Sequence, residues 1–353
     1  MLSQRSGFVD AVCKELEIRL PELGGEDINT IYFGGGTPTL LEKGELERIF
    51  NVIGSYRKAV ITPQAEITIE ANPDDLTACY LQDLITLPFN RISIGIQSFH
   101  DKTLALINRR HTAAESVEAV RRCQQVGLDN ISIDLIYGLP GETLDDWGYS
   151  LEQAIGLGVK HISAYHLTYE EGTRLWKMKE TGKVSPVEED FSIKAFDLLR
   201  ERLLGAGYEH YEISNFSLPG WHSRHNSSYW YGVPYIGIGP GAHSYDGNRR
   251  RWNLSDLNAY IKGSCKGDFP YEEEVLDADD RYNEYIITRL RTARGINLAD
   301  IARNLGSRYY RYCHSQASSY ITRGQLLLSD NEQLQLAPES IMICDAITRD
   351  LMV

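Results

Sequence analysis

The chain has 353 residues, enough for one large domain and a smaller one. Its 42% hydrophobic and 24% charged content is that of an ordinary globular protein, and no run approaches the roughly 20 apolar residues of a membrane span. Thirty-six basic against 49 acidic residues leave a net charge of −13, which repels phosphate backbones and argues against nucleic acid as a partner. The amino-terminal stretch has the charge and apolar spacing of an amphipathic helix rather than of a signal peptide, so the expected location is the cytoplasm. Cys13, Cys79, Cys123, Cys265, Cys313 and Cys344 are scattered and form no CxxC, the pattern of isolated thiols.

In chain order, 30–33 reads as a strand and 41–56 as the following helix. A second strand at 66–70 precedes a helix at about 76–87, and a third strand at 91–96 precedes helical sequence on both sides of Arg109-Arg110-His111-Thr112. A fourth strand at 130–137 leads to a helix at about 144–157, and a fifth lies at 161–166. Strand and helix alternating at this spacing predict βαβ units and a parallel sheet, with every strand's carboxyl end on one face. Beyond it come a helix at about 188–204 that leads through Gly205 and Gly207 into 208–216, and a glycine- and aromatic-rich region at 221–252 that reads as extended structure and loops. From about 278 the composition changes: helices at 282–291, 298–305 and 309–323 precede two short runs, 325–328 and 333–336, flanking a polar turn. Helices followed by a hairpin resemble a winged-helix module. The division is a core at 1–175, an extension at 176–277 and a carboxyl-terminal domain at 278–353.

The predicted strands end in Gly34, Glu70, Gln97, Asp134 and His166, where α/β folds place ligands. Gly34-Gly35-Gly36-Thr37-Pro38 is either a tight structural turn or a place where backbone approaches a ligand without Cβ interference. It is neither a dinucleotide fingerprint nor a P-loop. Glu66, Thr68 and Glu70 share a strand face, which is either solvent-facing or the inner face of a barrel. Asp134 sits in an apolar run, Ile131 to Ile136, where an acid needs a partner or ligand; Arg109 is a candidate counter-charge, or else a surface arginine at a helix end. His225 in His225-Asn226-Ser227-Ser228-Tyr229-Trp230 is either satisfied by a local hydrogen bond or free to ligate iron while the aromatic rings stack on a porphyrin. Gly237 to His243 (GIGPGAH) is a second backbone-approach loop, and Arg249-Arg250-Arg251 reads as a solvated turn.

Together IYFGGGTPTLL, EITIEANPDDL, RISIGIQSF, the Arg109/His111 turn, SIDLIYGLPGET, HISAYHLTYEEGT, YEISNF, HNSSYW and YIGIGPGAHSY resemble the HemN/HemW branch of the radical S-adenosylmethionine (radical SAM) superfamily, over about residues 31–245. The resemblance implies an α/β fold, a (β/α)6 partial barrel with a winged-helix-like tail. It implies S-adenosylmethionine bound by Gly35, Gly36, Thr37, Glu70, Gln97, Arg109 and Asp134. HNxxYW points to the HemW side of the branch, haem-binding chaperones that hand haem to receiving proteins, with His225 the candidate haem ligand. The alternatives are an oxygen-independent coproporphyrinogen III oxidase and a cluster-free binding protein.

One departure stands out. The family's first strand bears CxxxCxxC, whose thiolates hold a [4Fe–4S] cluster, and no such motif occurs in this sequence. The expectation is therefore that the chain begins in the helix after that strand, that a cluster belongs only to a longer form, and that the barrel lacks an edge strand.

Overall fold

The computed structural model describes residues 4–353. The strands are β1 (Ile28–Phe33), β2 (Ile61–Ala71), β3 (Arg91–Gln97), β4 (Ile131–Tyr137), β5 (His161–His166), β6 (Glu209–Glu212) and β7 (Asn215–Ser217), then β8 (His243–Tyr245), β9 (Arg249–Asn253), β10 (Tyr271–Val275), β11 (Ile296–Asn297), β12 (Leu326–Leu328) and β13 (Gln333–Leu336). The helices are α1 (Arg5–Arg19), α2 (Lys43–Ser55), α3 (Ala78–Leu84), α4 (Asp101–Leu106), α5 (Ala113–Gln125), α6 (Leu144–Gly156), α7 (Arg174–Glu180), α8 (Glu189–Gly205), α9 (Arg224–Trp230), α10 (Leu257–Ser264), α11 (Ala278–Leu290), α12 (Leu298–Asn304), α13 (Ser307–Thr322) and α14 (Cys344–Leu351). They form two compact units, one of residues 31–40 and 66–223, the other of 1–30, 41–65 and 224–353.

In the first unit the sheet order is β1-β2-β3-β4-β5-β7-β6. The pairs β2–β3, β3–β4 and β4–β5 are parallel, and β7 turns antiparallel against β5. Alternation sorts the side chains. Ile67, Ile69, Ile92, Ile94, Ile131, Ile133, Leu135 and Ile162 are buried, forming the apolar face on which crossover helices pack. The opposite face is polar: Thr68 pairs with Arg91, Glu70 with Ser93, Ser132 with His161 and Asp134 with Ser163. Glu66, Thr68, Arg91, Ser132 and His161 are buried on it, so the shared face of Glu66, Thr68 and Glu70 points inward rather than to solvent. Burying such groups requires mutual hydrogen bonds. His161 joins two, between Nδ1 and the Ser132 hydroxyl at 2.7 Å and between Nε2 and the Tyr211 hydroxyl at 2.7 Å, one nitrogen donating and the other accepting. Burial holds the His161 imidazole well below its ordinary pKa, hence neutral.

Two crossover helices of this unit start at reciprocal side-chain caps. Thr112 and Glu115 form a reciprocal capping box on α5, and Thr143 and Asp146 do the same on α6. Between β4 and α6 the Glu142 carboxylate accepts the backbone N–H groups of Gly138 at 2.7 Å and Leu139 at 3.4 Å.

In the second unit, β8, β9 and β10 form an antiparallel sheet in the order β10-β9-β8. The tail runs α11, β11, α12, α13 and the β12–β13 hairpin, with β13 between β11 and β12. That order is winged-helix-like. One expectation is corrected here: residues 224–230, read as loop, form the helix α9. Ser and Asn are poor helix formers, so the residues alone conceal it. The helix is held instead by its surroundings: the Arg224 guanidinium donates to the Gln64 carbonyl, and the His225 imidazole meets the Thr30 hydroxyl at 3.0 Å.

Candidate functional site

The strand ends of the first unit bring the predicted ligand-binding residues together. Glu70, one residue before the end of β2, has one carboxylate oxygen accepting the Tyr32 hydroxyl at 2.8 Å and the other accepting the Gly35 N–H at 3.1 Å. The glycine loop is thus tethered to the neighbouring strand. Its glycines are required for different reasons. A Cβ on Gly34 would lie 2.5 Å from the Tyr32 ring, whereas Gly35 and Gly36 have positive φ (76° and 66°) and open space where a Cβ would point. Pro38 to Leu40 then form a short 3-10 turn, with the Leu40 N–H donating to the Thr37 carbonyl at 3.1 Å. The Thr39 hydroxyl ties that turn to Asp75 at 2.7 Å.

Gln97 ends β3 in the left-handed region, with φ of 69°, where the register with β4 shifts. A non-glycine residue held there stores strain, a common feature of ligand sites. Arg109 Nη2 donates to the Asn72 side-chain carbonyl at 2.8 Å and to the Gly95 carbonyl at 2.5 Å. A Cβ on Gly95 would lie 2.9 Å from the Gln97 amide and 3.1 Å from Arg109, so Gly95 makes room for both. Burial lowers the pKa of Arg109, with the charge of Arg110 adding to it. It remains a cation, spent on neutral oxygens rather than in ion-pair contact with Asp134.

Asp134 lies mid-strand on β4, its carboxylate beside the Ser93 hydroxyl at 3.4 Å. Burial pushes its pKa up to about 6, and the nearby negative charge of Glu70 adds to the rise; the Ser163 and Ser93 hydroxyls and Arg91 restrain it. Tyr32, Asn72, Ser93 and Ser163 escaped the sequence reading, which stopped at strand ends. The period-two alternation behind Glu70, Gln97 and Asp134 also contains Ser93 and Ser163, and Tyr32 lies two residues before Gly34.

His225 belongs to the second unit. Its Nδ1 faces the Thr30 hydroxyl at 3.0 Å, its Nε2 faces the Tyr229 hydroxyl at 2.9 Å, and the two rings meet edge to face with centroids 4.9 Å apart. Tyr229 in turn meets Tyr235 edge to face at 4.7 Å. Tyr229, Tyr231 and Val233 are 37%, 36% and 46% exposed, so the stretch after His225 offers rings and a branched side chain to solvent. Beyond it the GIGPGAH loop makes a true close approach. A Cβ on Gly237 would fall 1.9 Å from the His243 carbonyl.

A parallel sheet with a polar inner face and a glycine loop at its strand ends matches a known class. Residues 9–154 match the model of the radical SAM superfamily. The coproporphyrinogen III oxidase HemN of Escherichia coli superposes with a TM-score of 0.83 over 100% of this chain and 85% of its own, at 20% identity, which supports the fold. More specifically, the chain belongs to the HemW family. It is 32% identical over 343 residues to a "Heme chaperone HemW" of Mycobacterium tuberculosis, covering 97% of this chain and 85% of that protein. It is 36% identical over 301 residues to a "Heme chaperone HemW" of Synechocystis, covering 83% and 71%.

The superfamily implies two resident groups, and the residues present fit them unequally. For S-adenosylmethionine there are carboxylates at Glu70 and Asp134, a buried guanidinium at Arg109, and a glycine loop with open space at Gly35 and Gly36. Such a set suits an ammonium, a sulfonium and a carboxylate on one ligand. For a [4Fe–4S] cluster the fit fails. Among the described residues no group of three or more His, Cys, Asp or Glu side chains could hold a metal ion, and all six cysteines are separate free thiols. No helix of the described residues is long and apolar enough to cross a membrane.

Proposed function

We propose that this chain is a cytoplasmic haem chaperone that binds S-adenosylmethionine at its strand ends and passes haem to receiving proteins. The observation that carries this reading is the imidazole of His225, held between Thr30 and Tyr229 on a helix followed by exposed rings. It occurs in a family whose relatives bear the name heme chaperone.

His225 is the haem ligand in this reading. With Nδ1–H donated to the Thr30 hydroxyl, Nε2 carries the lone pair that iron needs, and the Tyr229 hydroxyl occupies that lone pair until haem arrives. Metal-ligating histidines commonly have the second nitrogen fixed in this way. S-adenosylmethionine supplies an electrophilic sulfonium when bound. Glu70 and Asp134 would hold its cationic groups, Arg109 and Gln97 its carboxylate, and Gly35, Gly36 and Thr37 would line it. A [4Fe–4S] cluster would have to come with a segment bearing CxxxCxxC, and nothing in this reading depends on it.

The test is a Soret titration of the protein with ferric haem, beside His225→Ala. Weaker binding and a changed ligand-field spectrum in the variant support the reading, and an identical titration removes His225. Sustained oxidation of coproporphyrinogen III by the protein would favour the enzymatic alternative.

A further inference from the structure

Directly after α9, the chain gathers cations in an acidic protein. The guanidinium carbon of Arg289 lies 4.6 Å from the Tyr231 ring centroid and 5.2 Å from that of Tyr285. Arg294 approaches the same Tyr231 ring at 5.7 Å, and Arg291 approaches Trp230 at 5.5 Å. Arg289 Nη2 also donates to the Tyr231 carbonyl at 3.1 Å.

The cluster has more donors than acceptors. Among the described residues the one carboxylate within ion-pair distance of Arg291 is Asp345, at 3.8 Å, and it is almost fully exposed. Among the described residues no carboxylate lies within ion-pair distance of Arg289 or Arg294; Asp300 acts on Arg289 only from farther off. Elsewhere in the unit the ordinary solution is a close pair, as between Arg250 and Glu284 at 2.6 Å. Among the described residues the buried indole N–H of Trp230 and Nε–H of Arg291 likewise find no acceptor. Burial lowers the pKa of Arg289, and the like charge of Arg294 pushes the same way. Two guanidiniums held on one aromatic ring without a counter-ion repel each other, and an anion relieves that repulsion.

We infer that Arg289 and Arg294, stacked around Tyr231, form a carboxylate-binding edge for the propionates of a tetrapyrrole whose iron is held by His225. The inference rests on the haem reading above and adds the groups that would orient the macrocycle. Its scale fits: Tyr231 lies six positions after His225, one past the end of α9, roughly 9 Å on at a helical rise of 1.5 Å per residue, comparable to the step from the centre of a haem to its carboxylates. In the same stretch Tyr229, Tyr231 and Val233 each leave apolar surface open to solvent. Arginine suits the task because its planar fork matches a carboxylate.

The test uses the whole chain with three probes: ferric protoporphyrin IX, metal-free protoporphyrin IX, and the ferric dimethyl ester, which lacks free carboxylates. Arg294 is exposed, so Arg294→Glu should fold; it is measured beside Arg289→Ala/Arg294→Ala, with circular dichroism as the folding control. Both variants should bind the two diacids roughly tenfold or more weakly, the loss of charge-assisted hydrogen bonds, and the ester as the unaltered protein does. His225→Ala should weaken the iron-bearing diacid while sparing the metal-free one. If the unaltered protein binds ferric protoporphyrin IX and folded Arg294→Glu binds both diacids equally well, the propionate edge is wrong while the haem reading stands. If the unaltered protein binds none of the probes, the haem reading itself fails.

Discussion

The Glu70 carboxylate accepts the Tyr32 hydroxyl at 2.8 Å, and the ring so held is what requires glycine at position 34. A Cβ there would meet the ring at 2.5 Å and the carboxylate at 2.9 Å. Gly34→Ala therefore displaces the ring and loosens Glu70 from the loop, costing about 1–3 kcal/mol by overpacking. Tyr32→Ala opens the space, so in that background the alanine should cost much less. A urea-unfolding double-mutant cycle reads the coupling directly, and additive losses would show that the ring is not the constraint.

Asp134 makes the first unit sensitive to pH. Its pKa is pushed up to about 6 from an ordinary 3.8, because burial favours the neutral acid. A raised folded-state value contributes stability that is fully present below the unfolded pKa and is lost as pH rises through about 6. The ligand-free protein should thus lose on the order of 2 kcal/mol from this group between about pH 4 and pH 7. Asp134→Asn should flatten that part of the profile. Binding of cationic S-adenosylmethionine should run the opposite way, strengthening as pH passes about 6. Calorimetric titrations at pH 5 and pH 7.5 test this, and equal affinities would remove Asp134 as the cation's partner.

The polar positions of the strands were legible in the sequence because alternation leaves residues such as Glu70 near an end and Asp134 mid-strand conspicuous among β-branched neighbours. What lay across the sheet was not. Ser163 is an ordinary residue until its register with Asp134 is known. Helix α9 was invisible for the opposite reason: its Asn-Ser-Ser core argues against a helix, and only tertiary partners such as Gln64 and Thr30 overrule that preference. The cations around Tyr231 are far apart in sequence and meet through folding alone.

Thr30 offers a test of the histidine that does not remove it. Its hydroxyl faces His225 Nδ1 at 3.0 Å, and Thr30→Val keeps the shape while deleting that partner. Ferric haem affinity should fall by roughly tenfold, the usual scale for removing a group that orients a metal ligand. Thr30→Ser should retain most of it. A Soret titration in which valine and threonine behave alike would show that Nδ1 needs no fixing.

Glu15 anchors the GIGPGAH loop from within α1, where the sequence suggested only an amphipathic helix. The carboxylate is fully buried. It accepts from the Tyr260 hydroxyl at 2.6 Å, the Asn253 amide at 2.7 Å and the Gly239 N–H at 2.8 Å, with Arg19 Nη1 at 3.4 Å. Arg19 in turn donates to the Gly237 carbonyl at 2.7 Å and the Ser244 hydroxyl at 3.0 Å. Glu15→Ala removes the acceptor that the Tyr260, Asn253 and Gly239 donors share, while Arg19 keeps its closer ion pair with Glu22 at 2.9 Å, so the loss is about 1.5–3 kcal/mol, from buried donors left without their charged acceptor. Glu15→Gln keeps one acceptor oxygen, so its cost should be visibly smaller. Urea unfolding of both variants measures the difference. If Glu15→Ala unfolds within about 1 kcal/mol of the unaltered protein, roughly the worth of one ordinary hydrogen bond, then α1 does not hold the loop through this carboxylate.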